Sequence, residues 1–192
     1  MKKVLILLLT AIMCLNASAQ ISPEAYSKWH HNKFAGFIHF GLYSVYGGVY
    51  EGKPVTFGYS EQIQSFAGIF SDWYGNTALK FDPVKFNADE IVALAKEAGM
   101  RSIVITTKHH DGFCMFKTAT TSYNSVDATP SKRDYVKELS DACRRGGINF
   151  AIYFSLIDWN FPHAYPISSH NCDFITPQHH EFTKAQVTEL LT

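Results

Sequence analysis

The stretch RSIVITTKHHDG at residues 101–112 decides the fold of this chain, because its apolar strand ends abruptly in His109-His110-Asp111-Gly112. Three consecutive β-branched residues, 103–105, are typical of a parallel strand that is buried on both faces. In sheets of this kind, ligands bind beyond the carboxyl ends of the strands. Taken alone, the two histidines are better interpreted as a hydrogen-bonded pair at the end of a core. Their context favours a functional site.

The same arrangement, an apolar strand followed by polar or aromatic residues, occurs at two further places. Residues 34–38 lead into His39, and residues 148–154 lead into Asp158 and Trp159. Because three strands end in this way, the pattern predicts ligand-binding groups gathered at one edge of a sheet.

Two helices are predicted between these strands. The first opens with a capping box at Asn87 and stops at Gly99, and the second opens with Ser131 and Asp134 and stops at Gly146-Gly147. An order of strand, helix, strand, helix, strand implies parallel strands that are joined by crossover helices.

Two architectures use this alternation, an open doubly wound sheet and a closed (β/α)8 barrel. The glycines after the first strand lack the G-x-G-x-x-G spacing of a dinucleotide-binding sheet, and the sequence has no phosphate loop. Polar residues at the ends of several strands, with long connections such as residues 41–70, are typical of the active face of a barrel. We therefore predict an α/β fold of the (β/α)8 (TIM) barrel type.

Four blocks of sequence resemble the amino-terminal part of the family 29 glycoside hydrolases, the retaining α-L-fucosidases. Their order, spacing and content agree over residues 26–192, and four blocks in register are far more specific than any single one. Residues 127–130 and 157–162 look most like the bacterial secreted branch of that family. The four blocks are residues 33–44, 107–114, 133–139 and 153–159.

The resemblance implies that three histidines bind the sugar. The first strand of such a barrel ends in a sugar-binding histidine, here His39, and the second ends in a pair, here His109 and His110, that hydrogen-bonds the hydroxyls of fucose. Neutral imidazole suits this role, because it offers one donor and one acceptor and a sugar hydroxyl needs both.

Tyr43, Tyr153 and Trp159 are expected to contact the apolar face of the sugar, although each is also interpretable as a packing residue.

Two acids are open to more than one interpretation. Many family members have a Glu-Trp-Tyr segment after the first strand, and this chain has Glu51 in a different context, either as a sugar ligand or as a solvated loop carboxylate. Asp111 is not the nucleophile of the family, and a turn-capping or supporting role fits it better.

The resemblance implies that the carboxylates that cleave the sugar lie outside this sequence. Retaining glycosidases need two carboxyl groups about 5 to 5.5 Å apart, one as nucleophile and one as acid/base. In the family that this chain resembles, the nucleophile follows the fourth strand and the acid/base lies further on. This sequence shows three strands and then a helix that opens with Thr176 and Pro177. We therefore expect both catalytic groups beyond Thr192, and an incomplete barrel of the first three strands and their helices.

The first 19 residues have the pattern of a cleavable signal peptide. Lys2-Lys3 precede an apolar run at residues 4–15, and Ala17-Ser18-Ala19 forms a cleavage site. The apolar run is too short for a membrane span. We predict a secreted or periplasmic protein without a membrane anchor, cleaved after Ala19. Residues 20–192 then form the amino-terminal part of the glycoside hydrolase barrel domain.

Composition limits the partners. The chain has 17 basic and 17 acidic residues and a formal net charge of zero, which argues against a nucleic-acid partner or electrostatic membrane binding. Cys114, Cys143 and Cys172 remain after cleavage, so at least one thiol is free, and their spacing matches no zinc motif. The resemblance implies a fucosylated glycan as substrate, with no cofactor and no resident metal.

Two other interpretations stay open. In one, the chain is a truncated product without catalysis and with at most weak sugar binding. In the other, His39, His109, His110 and Asp111 ligate a metal ion in a barrel hydrolase. Adjacent residues of an extended strand point to opposite sides, so both neighbouring histidines reach one ion only if the backbone bends there.

Overall fold

The structure is a computed structural model that describes residues 21–161 and 175–192. The predicted signal peptide and Cys172 lie outside these residues. The chain divides after Lys33 into two compact units. In the first unit, helix α1 (Pro23–His31) begins at Ser22, whose side chain accepts a hydrogen bond from the backbone N–H of Ala25 at 3.1 Å.

The second unit contains one larger sheet, one small hairpin and several helices. Its strands are β1 (Ala35–Ile38), β2 (Val49–Tyr50), β3 (Lys53–Pro54), β4 (Ser102–Lys108) and β5 (Asn149–Phe154). Its α-helices are α2 (Ile63–Phe66), α3 (Ser71–Gly75), α4 (Ala88–Glu97), α5 (Tyr135–Gly146) and α6 (Pro177–Leu191). Short 3-10 helices span Leu42–Val45, Ser60–Gln62 and Asn76–Lys80. None of the described helices is both long and apolar enough to cross a membrane.

The larger sheet has the strand order β1–β4–β5 and is parallel throughout. Ile38 of β1 lies opposite Ile105 of β4, and Ile105 lies opposite Ile152 of β5. Helix α4 precedes β4 and helix α5 precedes β5, as expected for crossover connections. The predicted α/β class with a parallel sheet is therefore confirmed.

Helices α4 and α5 begin and end close to the predicted residues. The side chain of Asn87 accepts a backbone hydrogen bond from the first turn of α4 at 3.3 Å, and Gly99 follows that helix with a φ of 80°. Asp134 accepts the corresponding bond of α5 at 2.8 Å. Ser131 was predicted to share in opening α5, but its hydroxyl instead accepts a hydrogen bond from the hydroxyl of Tyr135. Asp134 alone caps α5.

The two faces of the sheet differ in burial. Ile103 and Ile105 of β4 are buried in one core cluster with residues of α4 and α5. On the opposite face, Val104 is only partly buried, and Phe37, which lies opposite it on β1, is 49% exposed. Thr106, on the same face as Val104, is 1% exposed, so this face of β4 is buried near its carboxyl end and open at Val104. The expectation that β4 is buried on both faces is therefore met only in part, because α4 and α5 pack on the opposite face.

The connection that follows β1 was predicted as one long loop, but it is folded. Up to the start of α4 it contains all three 3-10 helices, the β2–β3 hairpin, α2 and α3. Its buried residues Leu42, Ile63 and Tyr74 join Phe113 and Tyr135 in a second core cluster. Since Leu42 follows β1 and Phe113 follows β4, this cluster packs beside the carboxyl ends of both strands.

Candidate active site

Two of the predicted histidines lie at the carboxyl ends of adjacent parallel strands. His39 follows the last residue of β1 and His109 follows the last residue of β4. Their ring centroids are 5.6 Å apart. The sequence predicted this placement, because both histidines follow an apolar strand in the same direction along the chain.

The backbone bends where β4 ends. The pairing of β4 with β5 shifts register between Thr106 and Lys108, so β4 carries one extra residue there. Such a bulge redirects the side chains that follow it. The rings of His109 and His110 lie 4.4 Å apart. Both adjacent histidines therefore reach the same side of the sheet edge.

The predicted aromatic residues complete one cluster of rings. The ring of Tyr153 stacks on His109 at 5.6 Å with an interplanar angle of 21°. The ring of Tyr43 contacts His109 at 5.7 Å, and that of Trp159 contacts His110 at 5.3 Å. The structure thus brings together all six residues that the sequence suggested for sugar binding. We call them the ring cluster: His39, Tyr43, His109, His110, Tyr153 and Trp159.

Members of the ring cluster differ in what they present to a ligand. Tyr43 and Trp159 are 4% and 1% exposed, which favours the packing interpretation for both. The hydroxyl of Tyr43 is hydrogen-bonded to Thr106 at 2.9 Å, and the Thr106 hydroxyl donates to the carbonyl of Phe40 at 3.0 Å. These bonds join the ends of β1 and β4. The ring of Tyr153 is only partly buried and remains available for stacking.

The hydrogen bonds of His110 indicate the tautomer of its neutral ring. The Ser155 hydroxyl donates to the carbonyl of Ile157 at 2.9 Å, so its one proton is used there. His110 Nδ1 lies 2.5 Å from the same hydroxyl oxygen and must therefore donate to it. In the neutral ring, Nε2 is then unprotonated and acts as a hydrogen-bond acceptor.

Burial keeps His109 neutral. Removal from water, with smaller contributions from the neighbouring His110 and His39, lowers the pKa of His109 to about 3. A neutral imidazole at pH 7 carries no charge with which to attract an anion. This electrostatic state suits an uncharged ligand with hydroxyl groups.

Glu61 is the member of the site that the sequence did not indicate. It lies in the 3-10 helix Ser60–Gln62. Three atoms, a carboxylate oxygen of Glu61, a ring nitrogen of His39 and a ring nitrogen of His109, all lie within 4.8 Å of one another. Glu51, the acid considered from the sequence, instead lies exposed in the turn after β2 with a φ of 48°. Both acids follow the first strand, and no local pattern distinguishes them.

Asp111 is hydrogen-bonded within the core and is not grouped with the histidines. Its carboxylate accepts hydrogen bonds from the hydroxyl of Tyr74 at 2.9 Å and from the backbone N–H of Phe113 at 3.1 Å. The second of these bonds closes a turn, as expected for a turn-capping residue. The metal-binding interpretation that included Asp111 is not supported, because the possible metal ligands that lie together among the described residues are His39, Glu61 and His109.

A buried ion pair lies beneath the histidines. The Nζ atom of Lys108 is 3.0 Å from the Asp158 carboxylate, and the two side chains are 0% and 3% exposed. Gly112 has a φ of 76°, and a Cβ atom at this position would collide with the Asp158 carboxylate. The backbone N–H of Trp159 donates to the carbonyl of His110 at 2.7 Å. The ion pair therefore fixes the segment after β5 against the segment after β4.

Asp111 makes the stability of the fold depend on pH. Burial raises its pKa from 3.8 to about 7, although bonds from Tyr74 and Phe113 oppose the increase. A raised folded-state pKa gives stability that is complete below pH 3.8 and lost as the pH rises through 7. We expect this carboxyl to lower the free energy of unfolding by about 4 kcal/mol between pH 4 and pH 8. Urea unfolding at both pH values measures it.

Two variants separate this effect from other titrations. Asp111→Asn keeps an oxygen that accepts hydrogen bonds but does not ionise, so its unfolding free energy should fall less over this range than that of the unmodified chain. Asp72→Asn, at an exposed position of α3, should retain the full dependence. An unchanged pH dependence in Asp111→Asn would contradict the assignment.

Comparisons with known proteins show which family the chain resembles in sequence and fold. A family model for α-L-fucosidase matches residues 15–192. The chain is 31% identical to α-L-fucosidase 1 of Arabidopsis thaliana over 169 residues, which cover 86% of this chain and 27% of the plant protein. It also superposes on an α-L-fucosidase from Vibrio sp. strain EJY3 with a TM-score of 0.79 and 38% identity, covering 92% of this chain and 31% of that one. An α-L-fucosidase from Lactobacillus casei, in complex with α-L-fucose product, gives a TM-score of 0.67 and 44% identity, covering 71% and 43% of the two chains.

The fold and the comparisons therefore define a protein of a glycoside hydrolase family, with a ring-lined site at the carboxyl ends of parallel strands. The chain belongs to the α-L-fucosidase family, glycoside hydrolase family 29. It spans about 30% of the length of the curated relatives that it matches, 27% for the plant enzyme and 30% for the rat plasma enzyme.

Proposed function

We propose that this chain is the amino-terminal part of a retaining exo-α-L-fucosidase, which removes terminal α-L-fucose from glycans. The observation that carries the proposal is the ring cluster, in which His39, His109 and His110 follow adjacent parallel strands and share one face with Tyr153. The L. casei relative that was solved with α-L-fucose supports fucose as the ligand. A fucosylated glycan or glycoconjugate is then the substrate.

The chemistry of the site suits a neutral sugar. Fucose presents hydroxyl groups that both donate and accept hydrogen bonds, and the Glu61 carboxylate is an acceptor for them. The neutral ring of His109 adds a donor or acceptor without a charge. The partly buried ring of Tyr153 offers a surface for the apolar face of the sugar.

We propose that the sheet continues into a (β/α)8 barrel, of which β1, β4 and β5 are the first three barrel strands. The open face at Phe37 and Val104 supports this extension, because parallel sheets are normally covered on both faces. Within the described residues, β1 and β5 each pair along one edge only, which also leaves room for further strands. The nucleophile and the acid/base would follow those strands, in the part of the relatives that this chain does not cover.

We also propose that residues 1–19 are a signal peptide cleaved after Ala19, and that residues 20–192 belong to the barrel domain of a secreted or periplasmic enzyme of the bacterial type. The lysine pair and the apolar run in the sequence support this localisation. Detection of a mature protein that begins at Gln20 in the periplasm or medium would test it.

A second candidate function is sugar binding without catalysis. The site residues support it as well, because the ring cluster and Glu61 suffice to contact a sugar. Both candidate functions require that the site binds the sugar, and only the first requires that the sugar is cleaved. Sugar binding is therefore measured first.

We expect the 192-residue chain to bind L-fucose weakly and to discriminate against its enantiomer D-fucose. The two sugars are mirror images with the same polarity, so only a site with specifically placed contacts distinguishes them. His39→Ala and Glu61→Gln should each weaken L-fucose binding about 5- to 10-fold, the effect of one lost hydrogen bond of about 1 kcal/mol. Ligand-observed NMR titration measures these affinities.

His180→Ala is the matched control, because His180 is an exposed histidine of α6 and is not part of the ring cluster. Its L-fucose affinity should equal that of the unmodified chain. Equal binding of both enantiomers, or full affinity in His39→Ala and Glu61→Gln, would overturn the proposed sugar site.

A further inference from the structure

We propose that His39, Glu61 and His109 form a binding site for a divalent transition-metal ion such as Zn²⁺, and that this ion competes there with the sugar. Competition rests on the proposed function, whereas metal binding does not. The site is distinct from the metal site considered from the sequence, because Glu61 supplies the carboxylate and Asp111 does not.

The geometry of the three side chains is close to that of a zinc site. Each offers one ligand atom, and these three atoms all lie within 4.8 Å of one another. Zinc–ligand bonds of about 2.0–2.2 Å place neighbouring ligand atoms about 3.4 Å apart in a tetrahedron. The ligand atoms therefore need to approach by roughly 1 Å, which rotation of the exposed His39 and the partly buried Glu61 permits.

The donor set also favours a transition metal. Two imidazoles and one glutamate carboxylate are the protein ligands of several catalytic zinc sites, with a fourth position open to water. Nitrogen donors select Cu²⁺ and Zn²⁺ over Mg²⁺ and Ca²⁺, which take oxygen ligands. His109 is 4% exposed, and its Nδ1 has no hydrogen-bond partner among the described residues. Ligation at that nitrogen would therefore break no existing bond.

The three ligands lie directly beyond strand ends or in a short 3-10 helix. His39 follows β1, His109 follows β4, and Glu61 lies in a 3-10 helix. The Thr106 hydroxyl joins the ends of the two strands, because it accepts a hydrogen bond from the backbone N–H of Phe40 at 3.0 Å and donates to the Phe40 carbonyl. These bonds fix the backbones of the two strand ends relative to each other, so ion binding needs only side-chain rotation.

Calorimetric titration of the 192-residue chain with ZnCl₂ tests the site. We expect one ion per chain, tighter binding of Cu²⁺, and no detectable binding of Mg²⁺ at the same concentrations. His39→Ala and Glu61→Gln should each weaken Zn²⁺ binding at least about tenfold. Circular dichroism confirms that both variants are folded. His30→Ala and His180→Ala, which remove exposed histidines elsewhere, should leave the main site unchanged.

A second titration in the presence of sugar tests the competition. L-Fucose should raise the apparent Kd of Zn²⁺ in proportion to its concentration, and D-fucose should not. Zn²⁺ affinity that is unaffected by both His39→Ala and Glu61→Gln would overturn the metal site. Zn²⁺ binding that depends on these residues but ignores L-fucose would leave the metal site standing and would overturn both the competition and the proposed sugar site.

Discussion

The 192-residue chain is expected to release no measurable product from an aryl α-L-fucoside, whereas a chain that continues through the remaining barrel strands should hydrolyse it. A retaining glycosidase needs a nucleophile and an acid/base, two carboxyl groups about 5 to 5.5 Å apart. Glu61 is at the ring cluster, but Asp111 is bonded to Tyr74 and Phe113, and Asp158 is paired with Lys108. Among the described residues, Glu61 is the acid grouped with His39 and His109, and we therefore expect the pair of carboxyl groups to be incomplete.

The expected difference in turnover is on the order of 10⁴-fold or more, as for other enzymes that lose their whole catalytic group. The assay uses a chromogenic fucoside, with a full-length fucosidase as positive control at equal protein concentration. Robust turnover by the 192-residue chain would contradict the proposal. Asp111→Asn and Asp158→Asn would then show which carboxylate had been misjudged as structural.

The sequence predicted the sheet well because its signals are local. The β-branched run at 103–105 and the cap at Asn87 act within a few residues, and both occur in the structure at the predicted positions. The histidines followed from the strands, since parallel strands place their carboxyl ends at one edge. The α-L-fucosidase family followed from four blocks in register, which the comparisons confirm.

Features that depend on tertiary contacts could not be predicted in the same way. Glu61 reaches the histidines only because the connection after β1 folds over the sheet edge, and its local sequence does not differ in kind from that of Glu51. The direction of Asp111 is set by Tyr74, which is 37 residues away. Helix α6 buries the polar side chains of Thr183 and Gln186. The spacing of apolar residues, from which a buried helix face is predicted, does not indicate such a polar face.

The buried ion pair between Lys108 and Asp158 was not predicted either, and it gives the second large expected effect. Lys108→Met should lower the free energy of unfolding by about 3–5 kcal/mol, because Asp158 would remain buried without its cation. The carboxylate has little access to water, being 3% exposed, so hydration does not replace the lost partner. Urea unfolding at neutral pH measures the change.

Lys137→Met is the matched control, because Lys137 pairs with Asp141 on the surface of α5 and is 71% exposed. Surface pairs contribute about 0–1 kcal/mol, so this variant should be nearly as stable as the unmodified chain. Adding Asp158→Asn to Lys108→Met should recover part of the loss, because the uncompensated charge is then gone. Equal stabilities of Lys108→Met and Lys137→Met would show that the buried pair contributes little.

The ion pair also anchors the segment after β5, whose Trp159 donates a backbone hydrogen bond to the carbonyl of His110. Lys108→Met should therefore weaken L-fucose binding as well, whereas Lys137→Met should not.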